Sequence, residues 1–413
     1  MSSMFQPGVL LRGGCCLIVG SCCCALQTGG AEPALPTADS LAPRAIVSEG
    51  DLARLRQVVA KARRGDKVVL GVIGGSITQG AAASKPEKRY ANVILAGWKT
   101  AFPNATFELV NAGIGATGSN YGAMRVQRDL LSRHPDFVVV EYAVNDGNTR
   151  ELAESYEGLV RQILNAPNHP AVVLLFMMNK SGGNAQEWQS KIGTHYSLPM
   201  VSYRDALWPE IEAKRMTWEQ ISPDLVHPND VGHEYAARFV LAWLEKAVGN
   251  MAVDAAPAAG VPLPAPLLTG QYEFTALAEA NQLKPAANQG WEYDEAHKRD
   301  CCWKSSTPGS VIEFDVDGER LFLTYWRIRG AMGKARVTVD AGEPVTLDAW
   351  FDQTWGGYRQ MLEIGKDLKP GAHRVRVELL AEKHAESTGT EFRVLCLGAA
   401  GVPPTAPAPA PAP

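Results

Sequence analysis

Four short segments of this sequence hold the residue types that acyl transfer requires. The first, Lys67 to Gly80, reads KVVLGVIGGSITQG, an apolar run from Val68 to Ile73 that meets Gly74, Gly75 and Ser76. A β-branched run stopped by glycine predicts a buried parallel strand with a sharp turn at its carboxyl end. A serine at that turn has its hydroxyl lifted clear of the sheet, although the same stretch also suits a serine that only caps a helix. The second segment is Asn111-Ala112-Gly113-Ile114-Gly115, and the third runs from Glu141 to Asn145 and Asp146. The fourth is Ser222-Pro223-Asp224-Leu225-Val226-His227-Pro228-Asn229.

A serine hydroxyl is a weak nucleophile at neutral pH unless a base takes its proton. His227 is the candidate base, and such assistance is worth about 10²–10⁴ in rate. Asp224, three residues earlier, suits the role of orienting the imidazole and stabilising its charged form. The tetrahedral intermediate needs preorganised donors, and the N–H groups of Ser76 and Gly113 with the Asn145 side-chain amide offer three. Each residue also has a plainer reading. Gly113 suits a tight strand-to-helix turn, Asn145 or Asp146 a helix cap, and Asp224 and His227 an exposed turn before a helix opening at Pro228. The order Ser, Gly, Asn, Asp-x-x-His within one α/β pattern favours the chemical reading.

Positioning these residues falls to an alternation of helices and strands. Helical periodicity covers Glu49–Arg64, Arg89–Phe102, Asn120–Ser132, Leu152–Ala166 and Val231–Val248; short apolar runs mark strands at Phe107–Asn111, Phe137–Tyr142, Ala171–Met177 and Met200–Tyr203. Such alternation predicts a parallel sheet covered on both faces, with the four segments opening on one edge. Among nearby residues, His233 reads as packing or capping, and Arg125, Arg128 and Asp129 as a salt-bridged face. Lys85, Lys88 and Arg89 read as a solvated charge run.

Together, Gly74-Gly75-Ser76-Ile77-Thr78, Gly113, Asn145-Asp146 and Asp224-x-x-His227 resemble the four blocks of the SGNH (GDSL-like) hydrolases, over about residues 66 to 248. The resemblance implies a three-layer α/β/α flavodoxin-like fold and an esterase working through an acyl-serine. It assigns Ser76 as nucleophile, His227 as base, Asp224 as its orienting acid, and Ser76, Gly113 and Asn145 as the oxyanion hole. It implies no metal and no organic cofactor. One departure is Gly75, where the family usually has Asp.

The chain has 413 residues, 46% hydrophobic and 20% charged, with a net charge of −4, so it is long enough for two domains and carries no basic footprint for nucleic acid. Arg12 followed by GGCCLIVGSCCCAL predicts a signal peptide over residues 1–31, and a lipid anchor at Cys22 is the alternative. Past that segment no run is long enough to span a bilayer. The expected location is secreted or periplasmic. Residues 32–45 read as an extended linker, 46–250 as the hydrolase domain and 251–269 as an Ala/Pro linker. Only Cys301, Cys302 and Cys396 lie past the signal, with one of the first two able to pair with Cys396.

Residues 270–400 switch to short strands of period two separated by turns such as Asp317-Gly318 and Pro370-Gly371, predicting an antiparallel β-sandwich of jelly-roll type. Residues 401–413 read as a disordered Pro/Ala tail. Trp350 and Trp355, in the stretch WFDQTWGGY, are candidates for stacking on sugar rings, although aromatics in sandwiches more often pack a core. The expected function is an exported serine esterase removing acetyl or other short acyl groups from a carbohydrate or a small ester. The alternatives are a lipase, thioesterase or aryl esterase on the same scaffold, or a non-catalytic glycan-binding surface protein.

Overall fold

The buried β-branched runs assemble into one sheet in the computed structural model, which describes residues 34–249, 251, 262–295 and 301–402. The expected signal peptide, the Cys22 anchor, most of the second linker and nearly all of the tail lie outside these residues. From Leu35 on, the described residues form one compact unit.

Helix α1 (Ala38–Ala45) and strand β1 (Ile46–Ser48) come first, then α2 (Ala53–Arg63), β2 (Lys67–Gly74) and the single turn α3 (Ser76–Gln79). These are followed by α4 (Tyr90–Ala101), β3 (Thr106–Gly113), α5 (Ser119–Asp129), β4 (Phe137–Glu141), α6 (Arg150–Leu164) and β5 (Ala171–Phe176). Helix α7 (Gln186–His195), β6 (Met200–Ser202), α8 (Tyr203–Glu212) and α9 (Asp230–Gly249) complete this half. The strand order is β1-β6-β5-β4-β2-β3, parallel except for the antiparallel edge strand β1.

Alternate residues of each strand enter opposite cores. Val68, Leu70, Val72, Val139 and Val173 pack with α1, α2, α4, α8 and α9, whereas Val69, Ile73, Val138, Val140 and Leu174 pack with α5, α6 and α7. The chain leaves β2 for β3 on one side and returns to β4 on the other. This reversal creates a crevice at the carboxyl ends of β2 and β4, where open α/β sheets bind ligands.

One expectation is corrected here. Part of the 32–45 segment is helix α1 rather than extended chain, capped by the Thr37 hydroxyl, which accepts from Ser40 N–H. Leu41, Ala42 and Ala45 are buried against the first core, and that tertiary burial outweighs the cost of Pro43 inside the helix.

The second half is a sandwich. Its strands are β7 (Thr275–Glu279), β8 (Ala287–Gln289), β9 (Glu292–Asp294), β10 (Cys302–Ser305), β11 (Val311–Asp317), β12 (Arg320–Arg327), β13 (Lys334–Val339), β14 (Val345–Asp348), β15 (Tyr358–Gly365), β16 (Ala372–Leu379) and β17 (Phe392–Ala400). One sheet runs β15-β12-β17-β10-β9 with β7 also paired to β17, and the other β14-β13-β16-β11-β8. Ile312, Phe314, Leu323, Val375, Val377 and Val394 fill the space between them. Cys301, Cys302 and Cys396 are free thiols, so the pairing open to one of the first two with Cys396 is not made.

The first of these sheets lies on α5 and α6. Tyr272, Phe322, Met361, Cys396 and Ala400 share a continuous core with Tyr121 and Met124. Arg320, 1% exposed, pairs with Glu154 of α6 at 2.7 Å and with Glu363 at 2.6 Å. Glu157 accepts the N–H groups of Leu267, Leu268 and Thr269, which fastens the end of the connecting segment.

Candidate active site

The turn after β2 exposes Ser76 as the first residue of α3, and Gly80, with φ +100°, ends that turn. Across the crevice, the segment before α9 is tied to itself. The Ser222 hydroxyl donates to the carbonyls of Asp224 and His227 at 3.0 and 2.6 Å. Asp224 Oδ1 accepts the N–H groups of Val226 and His227, both at 2.7 Å. Its Oδ2 lies 2.8 Å from His227 Nδ1, and His227 Nε2 lies 2.8 Å from Ser76 Oγ. With Nδ1–H donating to the carboxylate, Nε2 is left as the acceptor facing the hydroxyl.

Partial burial works against the Asp224 charge. The backbone donors of His227 and Val226 and the imidazole outweigh it and hold the carboxyl below its ordinary value. An ionised carboxylate is what the orienting position requires.

Asn145 follows β4 in a turn closed by its own N–H and that of Asp146 on Tyr142 O, at 3.1 and 2.9 Å. Its amide lies over Gly75, beside Ser76. Gly113 departs from expectation. Its N–H donates to Asn111 Oδ1 at 2.9 Å, and Asn111 Nδ2 donates to Thr78 O at 2.8 Å. A Cβ on Gly113 would stand 2.3 Å from Gln79 N, so this glycine lets β3 and α3 approach, as a tight turn requires. The following N–H groups, of Ile114 and Gly115, go to Gly74 O and Gln79 Oε1. Ala116 is different: its backbone is left-handed at φ +54°, it lines the crevice, and its N–H meets no acceptor among the described residues. A strained non-glycine residue at a crevice wall is a signal that sequence alone does not carry.

Below the site, Glu141 is fully buried. Its Oε2 accepts the Thr78 hydroxyl at 3.1 Å, its Oε1 has no partner, and burial pushes its carboxyl up to about 8. Burial also raises Asp146, to about 7, against the donors Ser119 N–H and Gln189 Nε2. His233 accepts Tyr90 N–H and bonds Ala81 O, so it packs as expected, with burial lowering its basicity. Arg125 and Arg128 both pair with Asp129 as expected, and Arg125 is in addition buried, its guanidinium reaching Gly74 O and the Tyr142 hydroxyl.

The crevice opens into a cavity of about 1310 Å³ between the two halves of the molecule. Ser76, His227 and Asn145 line one side, and Trp326, Trp355 and Arg359 of the sandwich line the other. Trp355 is 62% exposed there, as is Leu225 at 67% on the opposite lip. Trp350 is not in the cavity. It is buried, with its ring stacked 3.8 Å from that of His384, which makes it a packing residue. Trp326 lies on β12, outside the WFDQTWGGY stretch, and Leu225 sits inside Asp224-x-x-His227 without a mark of its own. Nothing in the local pattern distinguishes Arg359, whose Nη1 donates to Tyr121 of α5 at 3.0 Å.

The model of the GDSL-like lipase/acylhydrolase family matches residues 72–235. Two solved structures of a two-domain esterase active on acetylated mannans resemble the whole architecture. One, co-crystallised with mannopentaose, is 33% identical with a TM-score of 0.80; the other is 34% identical with a TM-score of 0.81. Each comparison covers 88% of this chain and 99% of the other. No curated protein matches the sequence.

Proposed function

From the premise that this chain belongs to the GDSL-like lipase/acylhydrolase family, we propose that it is an exported serine esterase that removes acetyl or similar short acyl groups from a mannan-type polysaccharide. The observation that carries the reading is the unbroken chain from Asp224 through both imidazole nitrogens of His227 to Ser76 Oγ, with both links at 2.8 Å. The chemistry follows. His227 Nε2 takes the Ser76 proton as Oγ bonds to the ester carbonyl carbon, and the carbonyl π pair moves to oxygen. That oxyanion is received by Ser76 N–H and the Asn145 amide, with Ala116 N–H as third donor in place of Gly113. The intermediate collapses, the bond to the sugar oxygen breaks, and His227 returns the proton to that oxygen. Water then repeats the sequence on the acyl-serine and frees the carboxylic acid.

A sugar substrate is supported by the large two-walled cavity and by the exposed Trp355, which offers a flat apolar face to a pyranose ring. Identity above 30% along nearly the whole of a mannan-active esterase points the same way. The apolar run near the N-terminus supports export, which a polymeric substrate outside the cell requires.

Acetate release from acetylated mannan and hydrolysis of an aryl acetate test the reading. Ser76→Ala and His227→Ala are expected to lose about 10⁴–10⁶ in kcat on both substrates. Wild-type rates in either variant would end the assignment. Turnover of the aryl ester with none of the polymer would move the protein to the small-ester alternative.

A further inference from the structure

The Gly75 backbone, at φ −90° and ψ −145°, lies at the margin of what other residues adopt. Space adds a second and separable reason for glycine. A Cβ built there would stand 2.1 Å from Asn145 Oδ1, 2.6 Å from Cγ and 2.9 Å from Nδ2, all well inside non-bonded contact. The Asn145 backbone has little room to retreat. Its turn is closed on Tyr142 O, and the next residue, Asp146, is buried and bonded to Ser119 and Gln189.

We propose that Gly75 is a positioning residue whose bare Cα forms the seat for the Asn145 amide and so fixes that donor beside the nucleophile. The inference rests on the reading of Asn145 as an oxyanion donor. Gly75 makes no contact with substrate; its part is to leave a volume that the amide fills. On the backbone this chain has at Gly75, a side chain drives the amide to another rotamer, and one donor is lost when charge develops on the carbonyl oxygen.

Gly75→Ala, Asn145→Ala and the double variant, each in the full chain, test this. With an aryl acetate, Gly75→Ala is expected to lower kcat by about 10²-fold at unchanged KM, the loss typical of one missing donor. The double variant is expected to fall no further than Asn145→Ala alone. Thermal melts give a second readout that needs no turnover: any loss of Tm in Gly75→Ala is recovered in the double variant, because removing the amide vacates the contested space. Equal losses with and without the amide, or no loss from Gly75→Ala in either measurement, overturn the proposal. A wild-type chain inactive on every ester would count against the esterase reading instead, and the melts would still decide the seat.

Discussion

Of the carboxylates around Ser76, Asp224 and Glu141 have opposite environments. Asp224 collects two backbone N–H groups and an imidazole, so its charge is stabilised. Glu141 is fully buried, and that burial outweighs the Thr78 hydroxyl and the Ala143 N–H and pushes it up to about 8. Its folded value is raised above an unfolded value of about 4.3, so the folded state holds this proton more tightly. The contribution to stability is therefore full below about pH 4, declines as pH rises through the window from about 4 to 8, and is lost above it. Glu141→Gln removes the titration. Urea unfolding at pH 5 and pH 9 is expected to show a smaller decline in the variant than in the wild type; equal declines would mean that Glu141 ionises freely in the fold.

The order reversal between β2 and β4 puts the serine turn and the asparagine turn side by side, and one residue of α5 braces both. Arg125 donates to Gly74 O at 3.3 Å and to the Tyr142 hydroxyl at 3.0 Å, so it ties the ends of the two strands. Arg125→Met keeps an apolar stem but removes the guanidinium, so the Tyr142 hydroxyl loses its donor and Gly74 O keeps only the Ile114 N–H. The expected cost is about 2–4 kcal/mol in denaturant unfolding, with a reduced kcat. An unchanged midpoint would show that the brace carries no weight. Most of this arrangement was legible beforehand. The long apolar runs and five amphipathic helices have clear periods, strand ends lead to Ser76 and Asn145, and His227 stands in the segment ahead of the last helix. Helices α7 and α8 and strand β1 were not legible, since Gln186–His195 and Tyr203–Glu212 carry weak apolar stripes and β1 is three residues long. The Gly113 reading failed for a different reason. Sequence shows a backbone donor's position but not its acceptor, and the Asn111 side chain had already taken that N–H.

At the scale of the molecule, the sandwich is the second wall of the cleft rather than a tethered appendage. Arg320 and the shared apolar core hold it against α6 and α5. A wall of this kind matters to a polymer and little to a small ester. Trp355→Ala is therefore expected to raise KM for acetylated mannan several-fold, since stacking of this kind is worth about 1 kcal/mol, while aryl acetate kinetics stay unchanged. Equal effects on both substrates would make Trp355 a structural residue. The topology of this wall also has a consequence for how the protein is made. Strand β17, the last strand among the described residues, is an inner strand of its sheet, flanked by β12 on one side and by β7 and β10 on the other. During synthesis the reacting groups leave the ribosome well over a hundred residues before that strand does. A nascent chain short of β17 thus lacks the inner strand on which the sheet forming the second wall of the cavity is assembled.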